Sequence, residues 1–185
     1  MRTLKDTILE KLSIDNINFD TLDEELKKKY NLVYNQKTGC YDCEGNINVK
    51  DDLIEDGHFI CDFGIVKGSF DCSVCVSLET LEGAPKEVGK HFDCSSCSSL
   101  KTLKGAPIKV RGSFYCDHSN NLKTLEGAPK EVGGDFVCSY CNSLESLEGA
   151  PEEVGKDFYC RECKKLRTIK NGYDIDTKIG GSFIK

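Results

Sequence analysis

The sequence predicts a repeat solenoid, mainly β, built from 22-residue coils of parallel strands with a helical cap at the N-terminal end. The first observation is a set of phenylalanines that recur at this interval without slippage: Phe70, Phe92, Phe114, Phe136 and Phe158. A fixed period of about 20–29 residues is typical of a solenoid, in which each coil buries its apolar face by stacking on its neighbours. The second observation is that residues 1–36 lack this repeat and have helical periodicity instead. We therefore expect an array whose function lies on a surface.

Each coil follows the frame F-x-C-x-x-C-x-x-L-x-x-L-x-G-A-P-x-x-V-G, as in GSFDCSVCVSLETLEGAPKEV. The F-x-C segment has a period of two, which points Phe and Cys to one face of a short strand. Successive coils are expected to stack these strands into a parallel sheet with steps of about 4.8 Å. Gly-Ala-Pro predicts a turn, because glycine is permissive and proline fixes φ. We expect Phe, Cys, two Leu and Val of each coil, with Leu166 and Ile169 in the last, to form a shared interior.

Residues 1–36 are predicted to form the helical N-terminal cap. Thr3–Leu12 carries an apolar stripe with helical spacing. Asp20-Thr21 followed by Glu24 resembles a capping box, which opens a second helix that runs to about Tyr30, with Phe19 as the staple residue. Such helices would shield the open end of a solenoid from water. The alternative is a mobile helical tail.

Residues 37–66 are predicted to be degenerate, acidic leading coils. Tyr41-Asp42-Cys43 and Phe59-Ile60-Cys61 each repeat the F-x-C signature, although their spacing is irregular. This segment carries two basic residues, Lys37 and Lys50, against seven acidic ones: Asp42, Glu44, Asp51, Asp52, Glu55, Asp56 and Asp62. The regular solenoid is predicted over residues 67–185, where Phe183 follows Phe158 after a longer interval and begins a closing strand.

Composition and charge exclude several classes of partner. The formal net charge is −6, and residues 67–185 hold 17 Lys and Arg against 17 Asp and Glu, without a basic stripe. Since affinity for nucleic acid comes mostly from clustered Lys and Arg, we expect no nucleic-acid partner. No apolar run of about 18 residues could span a membrane, and the N-terminus lacks the pattern of a secretory signal. We therefore expect a cytoplasmic protein that does not bind membranes.

The repeat frame resembles the short leucine-rich repeats of bacterial and phage proteins, in which L-x-x-L-x-L-x-x-N/C-x-L-x-x-L-P recurs. The resemblance covers about residues 59–185. The family's asparagine position is occupied by Cys75, Cys97, Ser119, Cys141 and Cys163. Runs such as LEGAPKEVGG are also similar to arrays in tailed-phage proteins. The resemblance implies a leucine-rich-repeat-like solenoid in which the parallel strands line a face that binds other proteins.

The chain contains 12 cysteines, with C-x-x-C pairs at 40/43, 72/75, 94/97, 138/141 and 160/163. Two such pairs can complete a zinc site. Here, however, the pairs recur in phase with Phe and Leu, and Ser119 interrupts them at the centre. We interpret the first thiol of each pair as a small buried apolar group and the second as a weak hydrogen-bonding group toward the adjacent turn. We therefore expect no cofactor.

Two alternatives remain for the cysteines. Zinc would fit best at the irregular set outside the repeat frame, which consists of Cys40, Cys43, His58 and Cys61. Disulfides between stacked coils are allowed by geometry but disfavoured by a reducing cytoplasm.

Catalytic motifs are missing from the sequence. Its three histidines, His58, His91 and His118, occupy no recognisable nucleophile arrangement, and neither a phosphate-binding glycine loop nor H-E-x-x-H nor G-x-S-x-G occurs. The protein is predicted not to be an enzyme.

The sequence favours a non-enzymatic protein–protein interaction module, a phage-encoded binder or inhibitor of a host protein that would act in the host cytoplasm. The alternative is a structural or assembly protein of a virion or scaffold, stabilised by zinc. The predicted binding residues are Tyr115, Val137 and Tyr159, which stacking places in one row, with His118 and Tyr140 alongside. Interface hot spots favour tyrosine. Strand propensity would also explain Tyr and Val at these positions.

Overall fold

The computed structural model describes residues 20–167 and 177–185. The helix predicted over Thr3–Leu12, the staple residue Phe19 and the core position Ile169 lie outside the described residues. Within the described ranges, no helix is long and apolar enough to cross a membrane. The fold class is confirmed, since the chain forms a β-solenoid of parallel strands at 22-residue spacing with a short helix near the N-terminus.

The helix α1 spans Glu24–Tyr30, where the second helix was predicted. Its N-cap is Asp23, whose carboxylate accepts a hydrogen bond from the Glu25 amide at 2.7 Å. An aspartate directly before the first helical residue satisfies one of the free amides of the first turn. The predicted capping box at Asp20-Thr21 is therefore wrong, because the helix begins later and uses a different cap.

Residues before α1 are held on the array by Tyr41. Its hydroxyl accepts hydrogen bonds from the amides of Thr21 and Leu22, each at 2.9 Å, and donates to the Asp20 carboxylate at 2.7 Å. Leu22 is buried in the same apolar cluster as the solenoid interior. The described part of the N-terminal segment thus packs against the array, whereas a cap over the whole of residues 1–36 stays a prediction.

One sheet, which we call the phenylalanine sheet, contains the predicted F-x-C strands. Within the described residues it consists of β3 (Ile47–Asn48), β7 (Phe70–Asp71), β9 (Phe92–Asp93), β11 (Phe114–Tyr115), β13 (Phe136–Val137), β15 (Phe158–Tyr159) and β17 (Phe183–Ile184). All neighbours are parallel and in register, with each Phe opposite the next Phe. The closing strand predicted at Phe183 is confirmed.

A second sheet, which we call the valine sheet, was not predicted. Within the described residues it consists of β1 (Val33–Asn35), β2 (Cys40–Cys43), β6 (Phe63–Val66), β8 (Glu87–Val88), β10 (Lys109–Val110), β12 (Glu131–Val132), β14 (Glu153–Val154) and β16 (Lys178–Ile179). Apart from the antiparallel pair of β1 and β2, its strands are parallel. Each coil therefore contributes one strand to each sheet, and the Gly-Ala-Pro turn lies just before the valine strand.

The leading coils are irregular, as their spacing predicted. Tyr41 pairs with Phe63 in the valine sheet, and Ile47, which belongs to no F-x-C signature, pairs with Phe70. Phe59 lies instead in a short antiparallel ladder of β4 (Ile54–Glu55) and β5 (His58–Phe59), which follows a 3-10 helix at Asp51–Leu53. The two F-x-C signatures of residues 37–66 therefore do not mark strands of the phenylalanine sheet, because an aromatic residue two places before a cysteine does not identify which sheet the strand joins.

Between the two sheets lies a continuous apolar interior. The ring of Phe114 stacks on Phe92 at 5.2 Å and on Phe136 at 5.5 Å, with interplanar angles of 7° and 5°. The leucines and valines of the central coils, such as Leu122, Leu125 and Val110, have exposed fractions of 0%. The interior predicted from the repeat frame is confirmed for the described coils. Because the side chains of this interior are buried, only the other side chains of each coil are available on the outer faces.

Candidate protein-binding face

The second cysteines of the pairs 94/97, 138/141 and 160/163 form a hydrogen-bond ladder between coils. The thiols of Cys97, Cys141 and Cys163 donate to the carbonyls of Cys72, Cys116 and Cys138 in the preceding coils, at 3.1, 3.3 and 3.2 Å. Ser119 donates in the same way to the Cys94 carbonyl at 3.3 Å and is fully buried. A hydroxyl thus replaces a thiol without loss of the bond. The predicted hydrogen-bonding role of this position is confirmed.

Burial keeps these thiols protonated at neutral pH. It raises the pKa of Cys97 and of Cys141 to about 12 and that of Cys75 to about 11, because a thiolate would lose its hydration inside the apolar interior. A protonated thiol can donate to a carbonyl, whereas the thiolate is the form that attacks substrates and binds metals. The ladder is therefore structural.

The alternative zinc ligands do not form a site in the described part of the chain. Among those residues, no three His, Cys, Asp or Glu side chains are grouped as they would be around a metal ion. Cys40 and Cys43 are buried, His58 is exposed, and burial raises the pKa of the Cys61 thiol to about 12. In place of a metal ligand role, the Cys43 thiol donates to the Tyr30 carbonyl at 3.7 Å.

Another ladder connects the residues that precede the strands of the phenylalanine sheet. The Ser69 hydroxyl accepts from the His91 amide at 3.3 Å, and the His91 Nδ1 accepts from the Ser113 amide at 3.0 Å. Ser113 and Asp135 continue the series by accepting from Asp135 and Asp157 amides at 3.0 and 3.1 Å. These side chains are committed to holding adjacent coils together.

The outward row of the phenylalanine sheet runs across the strands next to this ladder. Parallel pairing places its members in the order Asn48, Asp71, Asp93, Tyr115, Val137, Tyr159 and Ile184. The row changes from polar and acidic to aromatic and aliphatic at Tyr115. Tyr115, Val137 and Tyr159 are half-buried, since each is flanked by its row neighbours. The predicted row of Tyr115, Val137 and Tyr159 is therefore continuous, and we call it the aromatic strip.

The predicted His118 and Tyr140 lie on the turn that follows these strands. Their rings stack at 4.7 Å with an interplanar angle of 17°, and both are exposed. Each has a left-handed backbone with φ of 59°. The amide of each donates across to the next coil, His118 to the Ser139 carbonyl at 3.0 Å. The turn holds this aromatic pair outside the interior.

Contacts around the two tyrosines of the row were missed by sequence reasoning. The ring of His91 lies 6.1 Å from that of Tyr115. The Arg161 guanidinium lies over the Tyr159 ring at 5.9 Å, and the Tyr159 hydroxyl donates to Asp157 at 3.0 Å. The repeat alignment places His91 in the coil before Tyr115, and Asp157 and Arg161 lie two residues to either side of Tyr159, but the sequence does not give the directions of these side chains.

The outward face of the valine sheet has a different chemistry. Its row contains exposed charged residues that pair between coils, Lys109 with Glu131 and, at 3.0 Å, Lys178 with Glu153. Similar pairs occur in the segments that contain the repeat leucines, where Lys101 contacts Glu79 at 2.6 Å. Exposed pairs of this kind contribute little to stability and are typical of a solvated surface. The aromatic strip is thus confined to the phenylalanine sheet.

Asp93 is the residue of the outward row whose ionised form is disfavoured by its surroundings. Burial raises the pKa of its carboxyl, and the neighbouring carboxylates Asp71 and Asp117 raise it further, although hydrogen bonds from Ser95 oppose the shift. Because the pKa is higher in the folded protein, folding favours the protonated form. The ionised form therefore lowers stability as pH rises above the ordinary value of 3.8.

We expect Asp93→Asn to raise the thermal midpoint at about pH 7, because the amide keeps the acceptor for Ser95 and removes the buried charge. The gain should shrink as the pH is lowered toward about 3, where Asp93 becomes protonated in both states. Thermal denaturation at a series of pH values measures this difference. Glu87→Gln on the exposed valine sheet serves as the control and should change little. A lower midpoint for Asp93→Asn at neutral pH would contradict the assignment.

Comparison with known proteins found no matching family model, no matching curated protein and no matching solved structure. The solenoid fold is therefore established by the strand pairing itself. The likeness to leucine-rich repeats stays a resemblance in the sequence pattern. What the protein does has to be argued from the chemistry of its faces.

Proposed function

We propose that this chain is a non-enzymatic protein-binding module that uses the outward face of the phenylalanine sheet. The observation that carries the proposal is the strip of Tyr115, Val137 and Tyr159 with the stacked pair His118–Tyr140 beside it. Aromatic residues on a preformed surface supply large contact areas at a low cost in conformational entropy. The valine sheet, covered by paired charges, lacks this character.

Rigidity of the strip supports the same function. Each of its strands is paired on both sides with parallel neighbours, and the phenylalanines beneath them have exposed fractions of 0%. A binding surface fixed in this way loses little freedom when a partner docks. The strip also lies on the parallel-strand face that the resemblance to leucine-rich repeats implies for partner binding.

The proposal also covers the source of the protein and its action on its partner. The repeat pattern supports a leucine-rich-repeat-like protein of bacterial or phage origin. A phage-encoded protein with such a face would act in the host cytoplasm as a binder or inhibitor of a host protein. An inhibitor needs a surface for its target and no catalytic group, which agrees with thiols that are buried and protonated.

We expect Tyr115→Ala and Tyr159→Ala each to weaken partner binding by about 1–2 kcal/mol, roughly 5- to 30-fold, while thermal stability falls little. The loss arises because each truncation removes a preformed aromatic contact. The measurement is quantitative affinity capture from bacterial lysate, with every variant compared with the wild-type chain for the same retained protein.

Two control variants locate the site. Lys109→Ala alters the valine sheet and should bind like the wild type. The double variant Asp51→Lys with Asp52→Lys tests the acidic leading coils. If that double variant loses the partner while both tyrosine variants keep it, the binding surface lies in residues 37–66 and the proposal is wrong.

A further inference from the structure

Acidic side chains have different ion-pair partners on the two faces of the solenoid. Outside the phenylalanine sheet several of them pair with cations of the adjacent coil, as in Lys101–Glu79 at 2.6 Å and Lys130–Glu152 at 3.1 Å. Within residues 20–167 and 177–185, no lysine or arginine forms a salt bridge with Asp71 or Asp93. The aromatic strip is therefore continued by two carboxylates that the described chain leaves without cations.

These two carboxylates are direct neighbours in the sheet. Asp71 and Asp93 are register partners on β7 and β9, and Asp93 is in turn the partner of Tyr115 on β11. Like charges directly opposite each other destabilise a sheet. Burial and the two nearby carboxylates raise the pKa of Asp93, and the hydrogen bonds from Ser95 that oppose this shift come from neutral groups. A local cost in stability is retained in proteins where function requires it.

The surroundings of Tyr159 and Tyr115 differ in a way that indicates which group would neutralise the Asp93 carboxylate. At Tyr159 the chain supplies its own guanidinium, since Arg161 lies over the ring at 5.9 Å. At Tyr115 the equivalent position of the repeat is Asp117. Tyr115 therefore has carboxylates on the adjacent strand and on its own turn, where Tyr159 has an arginine. A carboxylate beside an aromatic ring can hold a guanidinium by a forked hydrogen bond and by stacking.

We propose that the partner docks a basic protein segment on this face, with an arginine held between Asp93 and Tyr115 and apolar side chains along Val137 and Tyr159. The inference rests on the proposed function and adds the chemistry of the partner. Charge complementarity selects this occupant, because unneutralised carboxylates repel the phosphates of nucleic acids and of anionic membranes. Arginine is preferred to lysine for its planar fork and weaker hydration.

A displayed library of random peptides tests the inference without knowledge of the natural partner. The row from Asp71 to Tyr159 covers about 19 Å at about 4.8 Å per strand, which about six extended residues span. Peptides of about twelve residues are therefore long enough. They are selected on the full wild-type chain and counter-selected on the Tyr115→Ala, Tyr159→Ala double variant, so that only binders of the strip remain.

We expect the retained peptides to be enriched in arginine and to carry net positive charge. Their affinity should fall about tenfold or more with the double variant Asp71→Asn, Asp93→Asn, and should weaken as salt rises from about 0.05 to about 0.3 M. Both asparagines keep the acceptors for Ser73 and Ser95, so the fold is preserved. The matched double variant Glu87→Gln, Glu131→Gln removes the same charge from the valine sheet and should bind like the wild type.

The outcomes separate this inference from the proposed function. Neutral or acidic peptides that depend on the two tyrosines, or peptides indifferent to the asparagine variant, overturn the inference and leave the binding face in place. Equal losses with the glutamine control also overturn it, since the effect would then be one of total charge. If no peptide distinguishes the wild type from the tyrosine variant, both the binding face and the inference are wrong.

Discussion

Phe114→Ala is expected to lower the free energy of unfolding by about 3–5 kcal/mol, because it removes a ring from the middle of the buried stack and leaves a cavity. Phe114 has an exposed fraction of 0% and stacks on a phenylalanine on each side. In a solenoid, each coil is stabilised by contacts with its neighbours, so a defect at the centre weakens two interfaces at once. Denaturant unfolding followed by circular dichroism measures the change.

Phe183→Ala is the matched control at the end of the array. Its ring packs on Phe158 at 5.3 Å but is half-buried. Less apolar surface is lost there, so the free energy of unfolding should fall by clearly less than for Phe114→Ala. Equal and small shifts of the denaturation midpoint for the two variants would contradict the account of the phenylalanine stack.

Gly105→Ala should destabilise the solenoid by about 2–5 kcal/mol, through strain at a positive φ and a clash between coils. Gly105 has φ of 93°, and a Cβ placed there would lie 2.4 Å from the carbonyl carbon of Leu81 in the preceding coil. Backbone atoms cannot move aside without spreading the stack. Thermal and denaturant unfolding measure the loss.

Gly45→Ala is the control for the glycine substitution. A Cβ at Gly45 meets no atom within 4 Å, so the substitution should be nearly neutral or slightly stabilising. If Gly105→Ala proved as harmless as Gly45→Ala, the close stacking of the Gly-Ala-Pro turns would be wrong.

The regular part of the fold could be predicted because one period fixes many contacts at once. Spacing of the phenylalanines specified the register of Phe92, Phe114 and Phe136, and the period of two in F-x-C specified which side chains face inward. The valine sheet was missed because strands such as Glu87–Val88 are two residues long and carry no alternation that a pattern could reveal.

The left-handed conformation of the turn before the second cysteine was not predicted. Val74, Ser96, His118, Tyr140 and Glu162 all adopt φ between 55° and 61° there, although none is glycine. Residues with side chains seldom adopt this conformation, and β-branched ones such as Val74 least of all. The sequence therefore gives no local sign of the left-handed conformation that stacking imposes on this turn.

The sequence predicted which residues lie on the candidate face, whereas their charge and side-chain contacts became known only from the structure. The 22-residue spacing alone is enough to place Tyr115, Val137 and Tyr159 in one row. The contrast between uncompensated Asp93 and the cross-coil pairs elsewhere needed the structure, because the frame alone does not show which charged side chains reach each other. The arginine over Tyr159 likewise depends on the geometry of its turn.

Site-specific photocross-linking shows whether a protein partner docks on the outward row of the phenylalanine sheet. A photoreactive aromatic residue replaces Val137 in the strip or Glu131 on the valine sheet, and each chain is irradiated with the protein that the wild type retains. If the partner docks on this row, we expect a covalent adduct from position 137 and none from position 131. An adduct from position 131 with none from position 137 would contradict it.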